Sequence, residues 1–344
     1  MKVTIYIHPG IGRTGTTLLQ KTIEQNTDFL YFGRGAINRN AYIKELLDEL
    51  FYKHKHPYIL KEIGVNANPQ NLDVLMEDLA IALFEEWKTF YKAKELDHTK
   101  LIISDEYIFY TPERLIHENF DIISFVVKRL EHHIKDFLPS NNILFNRIMT
   151  VTIRNQADLI HSIWMNEHLR SCYSWFKKEE FKLYDNILDF DHIIQTLSFN
   201  QDWNLNIVPF EILKKKGIDV YVSEVFPGLQ IKSINKNFQP NKSNLINGVF
   251  CSKFFPTSRI VSIKMHHFMY KRKISRKKIS ILNIIPQKFF EILFHLIYPI
   301  ENKFSKEMEV QIDKVFMSQI RNKYSNSNKR LSEKFKLDLH ELGY

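Results

Sequence analysis

Gly10-Ile11-Gly12-Arg13-Thr14-Gly15-Thr16-Thr17 is the stretch that decides how this chain folds and what it can hold. Before it stands Val3-Thr4-Ile5-Tyr6-Ile7, β-branched and aromatic and short enough for a buried strand. After it comes Leu18-Leu19-Gln20-Lys21-Thr22-Ile23-Glu24, helix-forming, with apolar residues at 18, 19 and 23. Strand, glycine loop and helix together aim backbone N–H groups and a helix dipole at an anion. A nucleoside-triphosphate loop reads Gly-x4-Gly-Lys-Ser/Thr, so that the lysine reaches the β- and γ-phosphates. Gly10 and Gly15 keep that frame, but Thr16 stands at the lysine position and Arg13 is the only cation inside the loop. The pattern points to an anionic nucleotide in a backbone cradle, without the means to split a γ-phosphate. A glycine turn feeding an ordinary helix is the plain alternative, since short glycine motifs recur by accident.

A second piece lies far downstream. Ile148-Met149-Thr150-Val151-Thr152-Ile153 reads as another buried strand, and Arg154 follows it, with Ser162 two helical turns on. A guanidinium plus a hydroxyl suits a phosphate monoester, because arginine donates in a planar fork. Taken alone, the spacing arises by chance, and Arg154 could simply pair with Asp158.

Together these residues resemble a family. Gly-Arg-Thr-Gly-Thr-Thr-Leu-Leu-Gln is similar to the 5′-phosphosulfate loop of sulfotransferases that use 3′-phosphoadenosine-5′-phosphosulfate (PAPS). Arg154 and Ser162 fall at the spacing of that family's 3′-phosphate site. Leu101-Ile102-Ile103-Ser104-Asp105-Glu106, Asn241-Lys242-Ser243 and the closing Tyr324-Ser325-Asn326-Ser327-Asn328-Lys329-Arg330-Leu331 resemble its bacterial carbohydrate-type branch. Residues 35–100, 165–205 and 255–305 carry no such likeness. Arg13 departs from the lysine of many members but keeps the charge.

The resemblance implies in-line transfer of a sulfuryl group to a carbohydrate hydroxyl, with adenosine-3′,5′-bisphosphate as product and no metal. The backbone of Gly12, Arg13, Thr14, Gly15, Thr16 and Thr17 would hold the 5′-phosphate, with the Thr16 and Thr17 hydroxyls completing the cradle. Arg13 would neutralise charge on the leaving oxygen, and Arg154 and Ser162 would grip the 3′-phosphate. Such transfer is mostly positioning and charge stabilisation. For the general base, Glu106 stands first, just past a strand on the side where the loop opens. His8 is its rival, ending the first strand with a pKa suited to proton transfer. Asp105, His54 and His56 are more remote. Glu106 as a cap or ion-pair partner, and His8 as a mere shaper of the loop, are the structural alternatives.

Length and composition bound the rest. The chain has 344 residues and 44% hydrophobic content, enough for one large domain or two. Two cysteines, Cys172 and Cys251, make no disulfide framework and suit a reducing compartment. A strand from residue 3 leaves no room for a signal peptide, and no apolar run reaches the roughly 18 residues of a membrane span. The expected setting is cytoplasmic, with a peripheral place at the inner membrane face as a variant. His132-His133 and His266-His267 lack partners at metal-ligand spacing.

The net charge of +9 concentrates in Lys264–Lys273 and Arg276-Lys277-Lys278. A solvated helix face is the ordinary reading of such a run. With the interrupted apolar stretch 279–300, the segment 264–300 reads either as paired helices on a membrane surface or as a lid over the acceptor. Nucleic acid ranks below these, since no zinc, helix-turn-helix or RNP pattern accompanies the charge. Trp164, Tyr173, Trp175 and Phe176, with Lys177 and Lys178, offer a platform for an acidic saccharide, although core packing is the commoner use of aromatics; a lipid-linked saccharide is suggested by the membrane-surface reading of 264–300.

Strand and helix alternate along the chain, the order of a parallel sheet with helices on both faces. Strands are expected at 29–32, 101–104 and 149–153, with an edge strand at 207–210 and a connector at 220–222. Helices are expected at 41–51 and 72–91, and mainly helix beyond 245. The fold expected is α/β, a P-loop-type three-layer fold with a central parallel sheet and a mainly helical C-terminal region. Residues 1–250 would be the PAPS-binding core and 251–344 an extension packed on it. Two other classes remain open. One is a P-loop kinase or NTPase, using Leu101–Asp105 as its magnesium strand; the other is a non-catalytic, membrane-associated nucleotide-binding protein.

Overall fold

Five parallel strands carry the apolar runs of the sequence into one sheet: β1 (Lys2–His8), β2 (Leu30–Gly33), β3 (His98–Ser104), β4 (Leu144–Ile153) and β5 (Asn204–Pro209). Their order across the sheet is β2-β3-β1-β4-β5. The computed structural model describes residues 1–10, 14–24, 28–33, 41–52, 72–94, 96–105, 108, 116–139, 142–160, 162, 188–198, 202–229, 245–246, 249–253, 307–309 and 314–344. The register pairs Ile5 with both Leu101 and Arg147, and Ile153 with Pro209. Pro209 lacks an N–H and ends an edge strand, where its missing donor is tolerated.

Alternation along each strand sorts residues to two faces, and each face has its own core. Val3, Ile5, Ile7, Phe32, Leu101, Ile103 and Val151 share one cluster with helices on that side. Those helices are α2 (Ala41–Leu47, extended by a π-helical turn Asp48–Tyr52), α3 (Leu72–Lys94), α4 (Ile116–Phe137), α5 (Phe190–Ser198) and a C-terminal helix Lys314–Phe335. Tyr6, Tyr31, Ile102, Ile148 and Val208 face the other way, toward Leu19 and Ile23 of α1 (Thr16–Glu24) and Tyr221, Val222 and Val225. The result is an α/β fold of three layers.

Side-chain pairs tie the helical layer together. Arg129 reaches Glu77 with two bonds of 2.6 and 2.9 Å, joining α3 to α4, and Arg147 of β4 clasps Glu131 of α4. Trp87 is fully buried, and its indole N–H donates to Thr99 Oγ1 at 3.0 Å. A buried indole needs such a partner.

The structure departs from the expectations in three places. Residues 220–222 lie inside a helix, Ile218–Val225, which follows α6 (Glu211–Lys216) and is α7. Ile218, Tyr221, Val222 and Val225 fall on one helical face, and that periodicity outweighs the strand preference of valine. Helix α4 is not among the expected elements, although Phe120, Ile123, Val127, Leu130 and Ile134 recur at helical spacing. Beyond 245 the described residues include a small antiparallel ladder of β6 (Leu245–Ile246), β7 (Val249–Lys253) and β8 (Glu307–Glu309). The helix Lys314–Phe335, α8, then packs on the main core through Ile320, Tyr324 and Leu331. No helix among the described residues is long and apolar enough to cross a membrane.

Candidate functional site

The chain leaves β1 toward β2 and leaves β4 toward β5, in opposite directions along the sheet. The carboxyl ends of these two neighbours therefore frame the crevice where parallel sheets take ligands. Both sequence motifs sit there. The loop after β1 is fastened from below. Thr14 Oγ1 lies 2.9 Å from Thr152 Oγ1 of β4, and the Tyr221 hydroxyl donates to the Thr14 carbonyl at 2.8 Å. Gly15 follows with φ +78°, a left-handed turn that favours glycine, and its carbonyl accepts the Leu19 N–H at 3.0 Å as α1 begins.

Thr16 opens that helix, and its hydroxyl is buried without a hydrogen-bond partner among the described residues. It presses toward Gly10: a methyl added at Gly10 would lie 2.6 Å from Thr16 Oγ1 and 3.0 Å from its Cγ2. An orphan hydroxyl at a helix N-terminus, under backbone that admits no side chain, is what an anion cradle needs. Gly10→Ala is accordingly expected to lower stability by about 1–3 kcal/mol through overpacking. Thr16→Ala removes both close atoms, so most of that penalty should vanish in its background. Denaturant unfolding of the four proteins in the cycle reads the coupling. Equal losses in both backgrounds would show that Thr16 is not what excludes a side chain at 10.

The two motifs meet on one aromatic ring. The Arg154 guanidinium carbon stands 5.0 Å from the centroid of Phe210, a cation–π contact. A Cβ on Gly15 would lie 2.7 Å from Cε2 of the same ring. Arg154 follows β4 directly, and residues 156–160 and 162 are helical, so Ser162 lies on the helix that this turn begins. Asn155 caps that helix, its side-chain oxygen accepting the Asp158 N–H at 3.2 Å. Asp158 itself lies 3.5 Å from Lys214.

His8, the rival of Glu106 for the general base, is placed as its other reading, a shaper of the loop, would have it. Its Nδ1 lies 2.9 Å from Ser104 Oγ and its Nε2 3.3 Å from Thr152 Oγ1, while Phe226 packs edge-on at 5.9 Å. The ring is wholly buried, and desolvation pushes its pKa down to about 3. So weak a base, with both nitrogens engaged, has little drive to take a proton from a hydroxyl. Instead Ser104, His8, Thr152 and Thr14 form one polar chain joining β3, β1, β4 and the loop. Asp105 follows β3 and is also buried.

Gly12, Arg13 and Glu106 lie outside the described residues, as do the side chain of Thr17, the segment Asn241–Ser243, His54 and His56. The same holds for the aromatic stretch 164–178 and for 264–300. Among the described residues, no group of three His, Cys, Asp or Glu is placed to hold a metal ion.

No family model matches this chain, and neither does any curated protein or solved structure. The site therefore stands on its own chemistry. Its supporting residues were not anticipated: Thr152, Phe210, Glu211, Tyr221 and Asn155. The one local signal for them is the polar triple Arg154-Asn155-Gln156 directly after an apolar strand, which announces a turn with side-chain work to do. Phe210 and Glu211, just past a strand-ending proline, carry none.

Proposed function

We propose that this chain is a PAPS-dependent sulfotransferase that moves a sulfuryl group to a hydroxyl of a carbohydrate acceptor. What supports the reading most is the shared support of two anion-binding features at the crevice between β1 and β4. The glycine loop with its orphan Thr16 hydroxyl and the Arg154 guanidinium both rest on Phe210. A nucleotide carrying phosphates on both its 5′ and 3′ positions is the ligand class that needs two such grips. The cradle fits the donor: Gly10 and Gly15 leave no room for side chains, and a buried hydroxyl waits for an acceptor. A phosphate-loop variant of the three-layer fold, with lysine replaced by Thr16, belongs to the same proposal.

The donor supplies an activated sulfuryl group attached through a phosphate oxygen. A bond forms between the acceptor hydroxyl oxygen and sulfur while the sulfur–oxygen bond to the phosphate breaks, leaving adenosine-3′,5′-bisphosphate. Amides of residues 12 to 17 bind the 5′-phosphate, and Arg13 offsets charge on the leaving oxygen, a role worth roughly 3–4 kcal/mol for a well-placed donor. Arg154 and Ser162 bind the 3′-phosphate. Glu106 takes the hydroxyl proton. His8 holds the loop through Thr152 and Thr14 rather than moving a proton. The acceptor is a surface saccharide or its lipid-linked precursor, with 264–300 as the element that meets it or the membrane beside it, and the setting is cytoplasmic.

Asp105 favours one other reading. A buried carboxylate ending the strand next to β1 is where a kinase or NTPase would keep its magnesium. Calorimetry with adenosine-3′,5′-bisphosphate, AMP and ATP plus magnesium separates the two. Tightest binding of the bisphosphate, indifferent to magnesium, is expected. Magnesium-dependent ATP binding that exceeds it would transfer the site to the kinase class.

A further inference from the structure

The turn that carries Arg154 is held by parts of the chain far from it. The Asn155 N–H stands just past β4 and before the first helical bond, where neither ladder nor helix supplies an acceptor. Asn155 is buried, and its N–H donates to Glu211 Oε1 at 3.1 Å. Glu211 is buried as well, only 6% exposed, and its other oxygen accepts the Tyr344 hydroxyl at 2.7 Å. The Asn155 side-chain amide donates to the Gly343 carbonyl. One residue on, Gln156 and Asn328 of α8 exchange two bonds of 2.7 and 3.0 Å. Nearby, α8 is itself pinned to α5, with Arg330 2.5 Å from Asp191, and to Asp189 just before α5 by Ser327 at 2.8 Å. Residues 154, 155 and 156 are thus fixed in turn by Phe210, by Glu211 with the 343–344 segment, and by α8.

A buried carboxylate is expensive unless its lone pairs are occupied and its charge is balanced. Glu211 follows Phe210, the ring under Arg154, and its bond to the Asn155 N–H brings a carboxylate to the residue next to Arg154. Burial first, and then Glu211, hold the Tyr344 hydroxyl well above the ordinary phenol range, and the positive field of Arg154 opposes them only in part. By donating to Oε2, the Tyr344 hydroxyl gives the carboxylate a second partner and takes up part of its charge. Without that hydroxyl, Oε2 would be left bare in a dry site and would compete with a ligand phosphate for Arg154.

We infer that Glu211 and Tyr344 are positioning residues for Arg154, setting both the turn that presents it and the share of its charge left for a second phosphate. This rests on the function proposed above. Tyr344→Phe removes one oxygen and keeps the ring, so the fold survives. It is expected to lower the preference for adenosine-3′,5′-bisphosphate over AMP by about 5- to 20-fold. Adding Glu211→Gln removes the competing charge while keeping an acceptor for Asn155, and should restore most of the preference. Calorimetry of both ligands on the wild type, Tyr344→Phe and the double variant reads these ratios directly. A wild-type preference that Tyr344→Phe leaves unchanged, or a loss that Glu211→Gln does not recover, overturns the inference alone. A wild-type chain with no preference overturns the proposed function and the inference with it.

Discussion

Arg154→Ala is expected to leave a folded chain that binds adenosine-3′,5′-bisphosphate roughly 10- to 150-fold more weakly, with its affinity for AMP nearly unchanged. The two ligands differ by the 3′-phosphate alone, so a residue that grips that phosphate must act on the difference between them. Charge-assisted hydrogen bonds contribute about 1.5–3 kcal/mol each, which sets the range. Arg154 also rests on Phe210, and losing that packing perturbs the ring that supports Gly15. A purely structural effect would weaken both ligands together. Arg154→Lys supplies the control: it keeps the charge but loses the planar fork, and should fall between wild type and alanine. Parallel loss of both ligands, or no loss, would remove Arg154 from the second grip.

Why some of this could be read from the sequence, and the rest could not, follows from the range of the forces involved. Strands β1, β3 and β4 announce themselves as β-branched runs because both faces of a parallel sheet are covered. The loop announces itself because Gly10 and Gly15 stand where a side chain would strike Thr16 or Phe210. Those are local constraints, and they leave local patterns. Helix α4 was equally visible through Phe120, Ile123, Val127, Leu130 and Ile134, whereas Val220-Tyr221-Val222, expected as a connector, shows its helical period only when Ile218 and Val225 are taken with it. The supporting shell of the site leaves no pattern at all. Glu211 meets Asn155 across 56 positions and Tyr344 across 133, and Gln156 meets Asn328 across 172. No window of a dozen residues contains either half of such a pair with its partner. The closing stretch Tyr324–Leu331 drew notice only through a resemblance. The geometry supplies a physical reason for it: Tyr324 and Leu331 enter the core, while Ser327, Asn328 and Arg330 fasten the turn after β4 and the start of α5.

His8 shows the same limit most clearly, and it yields a second large effect. Read in isolation, a histidine at a strand end is a proton carrier, since its ordinary pKa lies near neutrality. Its environment is set by Ser104 and Thr152, 96 and 144 residues away, and burial holds the folded-state pKa at about 3, below the ordinary 6.5 of a histidine. The sign follows from linkage. Above pH 6.5 both states carry a neutral ring and stability is intact. As pH falls from 6.5 toward 3 the unfolded chain takes up a proton that the folded one refuses, so folding weakens by about 1.4 kcal/mol per pH unit from this group. Over the whole window the loss is on the order of 4–5 kcal/mol, a large part of the 5–15 kcal/mol that stabilises a typical domain. In His8→Gln the titrating ring is gone. That variant should be less stable than wild type at pH 7, having lost bonds to Ser104 and Thr152, yet the gap should close by about 0.7 kcal/mol between pH 7 and 6 and by about 1.2 kcal/mol between pH 6 and 5. Urea unfolding of both proteins at pH 7, 6 and 5 measures the gap directly, and contributions from carboxylates cancel in the difference. A gap constant with pH would mean that His8 takes up a proton in the folded state, and its place in the polar chain beneath the glycine loop would have to be redrawn.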